Sequence, residues 1–519
     1  MNDALTATNL QEIIEQQGLK IAKLEALVEY YQGIILNAKR RQFGASSERL
    51  DLADWRQLNM LGEVDAAPPP EPKTEEITYT RKKHAGKRDE DLSNLPVVRV
   101  DYEVAEAGRL CPECGTLMKD IGADVRRELE LIPAQIIVKE HAAHAYACPD
   151  KKCAEKAGKV TIIKAEVPAP LISGSLASPS LVAHIVAQKY MNGTPLYRIE
   201  KGFQYDGASI SRQTMSNWVV QCSENYLDAL YRLMIETMLK EPVLHGDETT
   251  IQVLHELGRP AQSKSYEWVY RTSGCAEHKV TIYDYQETRK QEHPQEFLKY
   301  FNGFLHTDGY QVYHNLPPNI TVVGCWAHAR RPWEKIYKLL PKDKRAGTDT
   351  ERGLQYINAL FDLEHEFKEL SPEERYEQRL EKSKPIADAF FEWAVHLGAP
   401  PKTPLGEAVH YALSQRKYLE NVFLDGRLEI SNNRAERSVK PFVMGRKNWL
   451  FSNTPGGAQA SSVMYSIIET AKDNGLNPYQ YVKFLLEKLP TAKTSELKTF
   501  LPWGDTLPDC CRAPIKEMQ

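Results

Sequence analysis

Two aspartates follow short apolar runs that share one cadence: two apolar residues, a histidine, a small residue and then the aspartate. Asp247 follows the residues VLHG, and Asp308 follows FLHT. Such runs predict strands, so a rigid sheet is expected to deliver each carboxylate at a strand end. Glu436 lies on the first turns of a predicted helix, and Glu469 on a later helix is the alternative third carboxylate. Three convergent carboxylates can hold two Mg²⁺ (or Mn²⁺) ions, which suits phosphoryl transfer.

Cationic side chains lie near Asp308 and Glu436 in the sequence. Two aromatic residues, Trp326 and Trp449, are interspersed with these cations. They predict contact with a DNA strand, because cations neutralise phosphates and aromatic rings stack on bases. A surface helix with internal salt bridges is the alternative near Glu436. A glycine-containing turn, a serine cap and a polar helix at 207–218 resemble the second half of a helix-turn-helix, with ordinary helix packing as the alternative. The residues predicted to contact DNA are Arg212, Gln213, Asn217, Arg330, Arg331, Arg437, Arg446 and Lys447.

Clustered cysteines predict a structural Zn²⁺ site. The first pair has the CxxC spacing that places two thiolates on one turn, whereas four residues separate the second pair. Because that second spacing is wide, His141 and His144 are competing ligands, and buried free cysteines are the alternative. Four protein ligands leave no position for water, so the expected role is to fold a small module. The four cysteines are Cys111, Cys114, Cys148 and Cys153.

The elements that must position the carboxylates begin where the texture of the sequence changes, after Pro242. Six β-rich runs are predicted, with one helical stretch at 295–301 between the fourth and the fifth. Strands followed by helices predict a sheet of mixed direction, and the fold class is multidomain α+β with an α/β catalytic domain. The predicted strands span residues 243–245, 249–254, 266–271, 279–283, 303–307 and 321–325.

The N-terminal segment carries a heptad pattern of apolar residues that predicts a short parallel coiled coil, and hence a homodimer or higher assembly. An amphipathic helix packed on its own domain is the alternative. A proline-rich run at 66–72 predicts a domain boundary. The predicted organisation is a coiled-coil segment at 8–50, a linker with a basic patch at 51–98, a zinc-finger-like module at 99–165, a helix-turn-helix-like helical region at 175–240, a catalytic domain at 241–440 with a helical insertion at about 338–425, a C-terminal helical segment at 441–490 and a tail at 491–519.

Composition limits the classes of function. The 519 residues include 66 Lys plus Arg and 70 Asp plus Glu, a net charge of −4, so DNA contact has to come from local basic patches. No apolar run reaches membrane-spanning length and no signal-peptide pattern follows Met1, so we expect a cytoplasmic protein without a membrane partner. In that reducing compartment, metal ligation is expected of the clustered cysteines rather than disulfides.

Motifs along almost the whole chain resemble those of insertion-sequence-66 family transposases, which are bacterial DDE enzymes. They are RRQFGASSE after the heptads, the cysteine pattern, HGDET around Asp247, HTDGY around Asp308, CWAHARR from Cys325, and NNRAER around Glu436 with GRKNWLF beyond it. The resemblance implies an RNase H-like catalytic domain whose triad is formed by these three carboxylates. Cys325 and His328 resemble a Cys-x-x-His signature of several DDE families, for which a structural role beside the active site is favoured over a half zinc site. The wide second cysteine spacing departs from the family pattern.

The predicted function is DNA transposition, in which water cleaves the ends of an insertion sequence with the help of Mg²⁺ and the freed 3′-OH attacks target DNA. Double-stranded DNA, both transposon ends and target, is the predicted partner, and the family also implies small accessory proteins of the same element. One alternative is a DNA-binding regulator without catalysis, against which the three carboxylates argue. The other is a stand-alone nuclease of the same fold, against which the N-terminal DNA-binding apparatus argues.

The zinc-finger prediction is tested by Cys114→Ser. We expect purified wild-type protein to hold about one finger zinc per chain, and the variant to lose it and to unfold the N-terminal module, because that module has little core of its own. Metal analysis and limited proteolysis measure both effects. Freshly purified, reduced wild-type protein that contains no zinc would contradict the prediction.

Overall fold

The computed structural model describes residues 135–147 and 162–513. Within these two ranges, no helix is both long enough and apolar enough to cross a membrane. Outside the described residues lie the predicted coiled coil at 8–50, the linker at 51–98, and Cys111, Cys114, Cys148 and Cys153.

The chain forms two compact units, and the smaller one holds the described part of the predicted finger module. Strand β1 (Ala145–Ala147) pairs antiparallel with β2 (Ile162–Lys164). His141 and His144, the competing zinc ligands, precede β1 and are exposed. The second cysteine pair falls between β1 and β2 in the sequence.

In the described stretch from residue 162 onward, four α-helices precede the main sheet: α1 (Pro179–Val186), α2 (Leu196–Tyr205), α3 (Arg212–Cys222) and α4 (Asp228–Met238). Gly207, after α2, has a φ of +83°, in the left-handed region that favours glycine. Ser211 caps α3, because its Oγ accepts the Thr214 backbone N–H at 3.1 Å. The predicted glycine turn, serine cap and helix are therefore confirmed as local structure.

The larger unit is built on a five-stranded mixed sheet. Its elements are β3 (Val243–Gln252), β4 (Lys264–Thr272), β5 (Thr281–Gln286), the short helix α5 (Glu292–Phe297), β6 (Gly303–His306) and β7 (Ile320–Val323). The strand order is β5-β4-β3-β6-β7. The strands β3, β4 and β5 are antiparallel neighbours, whereas β6 and β7 run parallel to β3. The predicted mixed α/β sheet is confirmed.

The first two predicted strands form a single strand in the structure. Along almost its whole length, β3 pairs with β4 without interruption. Gly246 and Asp247 have low strand propensity, but cross-strand pairing outweighs it. The expectation that Asp247 follows a strand end was therefore wrong, since Asp247 lies in the middle of β3, whereas Asp308 does follow β6.

The helical insertion follows β7 and packs against the sheet. Its helices are α6 (Trp326–Leu339), α7 (Asp349–Glu366), α8 (Pro372–Gln378), α9 (Lys384–His396) and α10 (Pro404–Leu419). The apolar faces of α6, α7, α9 and α10 form one core with Val243 and Val323 of the sheet. Trp326 is fully buried there, and its Nε1 donates to the Leu419 carbonyl at 3.1 Å. The start of α6 therefore anchors the insertion to the sheet.

One buried cation fixes the segment that leads from the insertion to Glu436. The Arg379 side chain is 1% exposed and donates to both carboxylate oxygens of Glu364, each at 2.6 Å. It also donates to the carbonyls of Asp425 at 3.2 Å and Leu428 at 2.7 Å. A buried cation needs such partners, so Arg379 defines the path of the chain after α10.

Side chains bond backbone groups at both edges of the sheet. The last helices are α11 (Asn433–Trp449), α12 (Pro455–Asp473) and α13 (Pro478–Lys488). Ser466 of α12 accepts the Tyr283 backbone N–H of β5 at 2.8 Å. At the other edge, Asn421 Nδ2 donates to the Val322 carbonyl of β7 at 2.7 Å. These outward-facing groups are therefore satisfied without a further strand.

Arg379→Met tests the role of the buried cation. The variant leaves Glu364 uncompensated, so we expect the free energy of unfolding to fall by about 3–5 kcal/mol in urea titrations. Arg232→Met is the matched control, because Arg232 is 74% exposed and pairs only within α4, with Asp228. Its loss should stay below about 1 kcal/mol. Equal losses in the two variants would contradict the assigned role.

Candidate active site

The strands β3 and β6 bring the two predicted catalytic aspartates side by side. They are parallel neighbours, and His245 of β3 pairs with His306 of β6. Asp247 lies two residues beyond this pair within β3, and Asp308 lies two residues beyond it, after the end of β6. The two carboxylates are close enough for the charge of Asp308 to raise the pKa of Asp247. Both aspartates are half-buried.

Glu436 reaches this site from the first turn of α11. Its side chain is 10% exposed, and its Oε1 lies 3.5 Å from both His328 Nδ1 and Arg331 Nη2. Both of those residues belong to α6. A carboxylate in the first turn also interacts favourably with the helix dipole. The site is therefore assembled from β3, the end of β6, and the N-terminal turns of α6 and α11.

The carboxylates share one electrostatic field. Burial raises the pKa of Asp247 well above its ordinary value, and the negative charges of Glu248, Asp308 and Glu436 raise it further. The Glu248 backbone N–H, 2.8 Å from Asp247 Oδ1, acts in the opposite direction. A divalent cation relieves repulsion of this kind, so a cation that prefers oxygen ligands fits this set of donors.

A sulfur and a nitrogen donor also lie beside Glu436. Among the described residues, the metal-ligand atoms that lie within 4.8 Å of one another belong to Cys325, His328 and Glu436. The three carboxylates together do not meet that distance. Two cations can be held by carboxylates that are farther apart than the ligands of a single cation. Enzymes of phosphoryl transfer commonly use two cations.

The Asn432 side chain fixes the start of α11 against β3. Although Asn432 is the N-cap of α11, its side chain makes no hydrogen bond to its own helix. Its Nδ2 donates to the Gly246 carbonyl at 2.8 Å, which turns Oδ1 towards His245 Nδ1 at 3.0 Å, so the imidazole donates there. Its backbone N–H donates to Cys325 Sγ at 3.1 Å. One residue therefore joins the strand of Asp247, the start of α6 and the helix of Glu436.

The two histidines of the repeated cadence form a buried stack beside the aspartates. The rings of His245 and His306 lie 4.5 Å apart and 13° from parallel. The Glu429 backbone N–H donates to His306 Nε2 at 3.1 Å, and burial, followed by the effect of His245, holds the pKa of His306 well below its ordinary value. His306 is therefore neutral, and the pair supports the two strands from inside the fold.

Glu248 and Arg289 are site residues that the sequence analysis missed. The Glu248 carboxylate accepts the Tyr313 hydroxyl at 2.7 Å and Arg289 Nε at 2.9 Å. The Arg289 guanidinium lies 3.5 Å from the centre of the Tyr310 ring, and the Tyr310 backbone N–H donates to Asp308 Oδ1 at 2.9 Å. These contacts connect the two aspartates. The HGDET motif contains Glu248 and was the available signal, whereas no motif marks Arg289.

The residues predicted to contact DNA from the helix-turn-helix-like region lie on the exposed face of α3. Arg212, Gln213 and Asn217 are exposed, and Gln213 Nε2 donates to Asn217 Oδ1 at 3.0 Å. Met215 and Trp218 of the same helix are buried. The polar face of α3 is therefore available for a partner.

The predicted cations of α6 have different surroundings. Arg330 donates to Asn358 at 2.7 Å and to Glu334 at 2.8 Å, so both of its partners lie within the insertion. Arg331 is 52% exposed beside Glu436. Of the two, Arg331 is the cation at the carboxylates.

The predicted cations of α11 also differ from one another. Arg446 Nη1 donates to the hydroxyls of Thr249 and Thr250 at 3.0 and 3.1 Å, which ties α11 to β3. Arg437 and Lys447 are exposed. The exposed pair, unlike Arg446, faces solvent.

The alternative third carboxylate lies away from the aspartates. Glu469 pairs with Lys472 on α12 at 2.7 Å. The next residue, Thr470, accepts the Thr281 backbone N–H of β5 at 3.0 Å, which places this part of α12 at the sheet edge opposite β7. Glu436, not Glu469, is among the charges that raise the pKa of Asp247.

Family comparisons agree with this architecture. The model of the transposase IS66 family matches residues 174–460, more than half of the chain. Models described as the zinc-finger binding domain of transposase IS66, the IS66 C-terminal element and the transposase C of IS166 homeodomain match residues 109–150, 466–503 and 31–100. The chain therefore belongs to the IS66 family of transposases, enzymes that act on DNA, and the predicted resemblance is confirmed.

Similar proteins extend over nearly the full chain. Two from Sinorhizobium fredii carry the description uncharacterized protein: y4qI is 29% identical and covers 96% of this chain and 92% of its own length. The second, y4jD, is 27% identical and covers 96% and 98%. The solved Drosophila P element transposase strand transfer complex aligns with a TM-score of 0.35 and 14% identity over 56% of this chain and 92% of that chain.

Asn432→Ala tests whether that side chain positions Glu436. A displacement of about 1 Å at a reacting centre costs about 100-fold in rate, so we expect a loss of that size in cleavage of DNA that carries the element's ends. Asn433→Ala is the matched control, because Asn433 is the exposed neighbour and its removal should change little. Full activity of the Asn432 variant would show that α11 holds its place without this side chain.

Proposed function

We propose that this transposase is a DDE enzyme in which Asp247, Asp308 and Glu436 hold Mg²⁺ (or Mn²⁺) for the cleavage and joining of DNA. The observation that carries the proposal is the convergence of the three carboxylates from β3, the residues after β6, and the first turn of α11. The negative charges of Asp308 and Glu436 add to the effect of burial in raising the pKa of Asp247, and a hard cation relieves this repulsion. The order and directions of the five strands support an RNase H-like catalytic domain.

Such cations, when bound, activate the attacking oxygen and stabilise the charge on the leaving oxygen. In the first step water bonds to the scissile phosphorus and the bond to the 3′-oxygen breaks, which frees a 3′-OH. In the second step this 3′-OH bonds to a target phosphorus and displaces a target 3′-oxygen. The carboxylates hold the site, and Arg331, exposed beside Glu436, binds the phosphate of the entering strand. No covalent protein intermediate is required.

The exposed polar faces supply further DNA contacts in this proposal. Arg212, Gln213 and Asn217 of α3 contact the transposon end, and Arg437 and Lys447 of α11 contact the DNA backbone. Arg330 and Arg446 already have partners within the chain, so they reach DNA only by exchanging those partners.

The N-terminal modules extend the proposal to metal and partners. The match to the zinc-finger model over residues 109–150 supports a structural Zn²⁺ ion, and it includes Cys111, Cys114 and Cys148. Cys153 lies just beyond the matched residues and is the fourth ligand of this proposal. The heptad pattern supports assembly of two or more chains, which brings two transposon ends to one complex. Accessory proteins of the same element and a cytoplasmic location belong to the same proposal.

The triad is tested by Asp247→Asn, Asp308→Asn and Glu436→Gln. Each removes a metal-ligand charge at constant size, and several kcal/mol of lost stabilisation corresponds to about a 1000-fold loss of strand cleavage. Binding of transposon-end DNA, measured by mobility shift, should stay near the wild-type level. Glu469→Gln is the matched control and should retain cleavage. A variant of the triad that cleaves at the wild-type rate would remove that residue from the catalytic site.

A further inference from the structure

A second donor set lies against the proposed Mg²⁺ site and differs from it in chemistry. Cys325, His328 and Glu436 offer a sulfur, an imidazole nitrogen and a carboxylate oxygen, and these atoms lie within 4.8 Å of one another. Mg²⁺ prefers oxygen ligands alone, whereas Zn²⁺ is commonly bound by this mixture. The set therefore selects a softer divalent cation than the aspartates do.

The spacing of two of the donors is that of ligands on a common ion. His328 Nδ1 and Glu436 Oε1 lie 3.5 Å apart, beyond the usual length of an N–H···O hydrogen bond. Neighbouring ligands of a tetrahedral zinc ion, with bonds of about 2.0–2.3 Å, are about 3.3–3.8 Å apart. His328 Nδ1 is also buried and has no hydrogen-bond partner, so a lone pair of that nitrogen is available to an ion.

Burial raises the pKa of the Cys325 thiol to about 11, so a bound cation has to displace its proton, and two contacts favour the resulting thiolate. Cys325 is buried and is the N-cap of α6, where the helix dipole favours negative charge. The Asn432 backbone N–H, which donates to Cys325 Sγ at 3.1 Å, adds a second stabilising contact. Three protein ligands leave one position of a tetrahedral ion for water.

We propose that Cys325, His328 and Glu436 form a binding site for a thiophilic divalent cation of the Zn²⁺ class, and that occupation of this site withdraws Glu436 from Mg²⁺ and inhibits DNA cleavage. Binding depends only on the three donors. Inhibition rests on the proposed function, because it requires Glu436 to be a Mg²⁺ ligand. Zn²⁺ and Mg²⁺ then compete for one carboxylate, so a higher Mg²⁺ concentration raises the Zn²⁺ concentration needed for inhibition.

Binding is tested with full-length protein dialysed against Zn²⁺. Wild-type protein is expected to hold one ion per chain in addition to the finger zinc, and Cys325→Ser to hold one fewer than wild type. Cys275→Ser, at an exposed cysteine, is the matched control and should bind as wild type does. With Co²⁺ as the probe, the thiolate charge-transfer absorbance should fall in Cys325→Ser relative to this control. His328→Asn repeats the measurement at a half-buried position if the serine variant does not fold.

Inhibition is tested by titrating Zn²⁺ into cleavage reactions at fixed Mg²⁺, with each variant normalised to its own rate without added Zn²⁺. The half-inhibitory Zn²⁺ concentration is expected to rise at least about 10-fold in Cys325→Ser, because one metal ligand is lost.

Equal zinc content in wild type and Cys325→Ser would overturn the proposed binding site. If Cys325→Ser binds one ion fewer but keeps the wild-type half-inhibitory Zn²⁺ concentration, the proposed competition for Glu436 would be overturned. Wild-type protein that keeps its finger zinc and cleaves no DNA in Mg²⁺ without added Zn²⁺ would defeat the proposed function, while the zinc content after dialysis still decides the site.

Discussion

The contact between Asn432 and β3 is the interaction on which the geometry of the candidate site depends. An N-cap asparagine ordinarily bonds the first turn of its own helix and contributes about 1 kcal/mol to it. Here the side chain bonds Gly246 and His245 instead. Local helix stability is exchanged for a fixed position of α11, and Glu436 lies on the first turn of that helix.

Buried polar groups elsewhere serve the same requirement. Arg379 with Glu364, and the stacked His245 and His306, are buried polar contacts that apolar packing could replace with little loss of stability. Arg379 bonds Glu364 and nearby carbonyls, and each histidine ring has one hydrogen bond, to Asn432 or from the Glu429 backbone N–H. These contacts require one arrangement of the neighbours, so together they define positions rather than add stability. Fixed positions matter because the carboxylates at the site repel one another. After burial, the charges of Glu248, Asp308 and Glu436 raise the pKa of Asp247 further.

The sequence predicted the features that short segments specify: the mixed sheet, the serine cap of α3 and the helix that carries Glu436. It did not predict that β3 continues through Asp247, because only pairing with β4 holds that strand together. The hydrogen-bond partners of His245 and His306 could not be predicted either, because Asn432 and Glu429 are distant from these histidines in the sequence.

The side chains that bond the sheet edges have a consequence for many copies held close together. An open edge strand is a template for pairing with another chain, and DNA gathers its binding proteins at high local concentration. With Tyr283 bonded by Ser466 and Val322 by Asn421, strand addition at these positions would first have to break existing bonds. Addition of a strand from a neighbouring copy is therefore disfavoured at both of these positions.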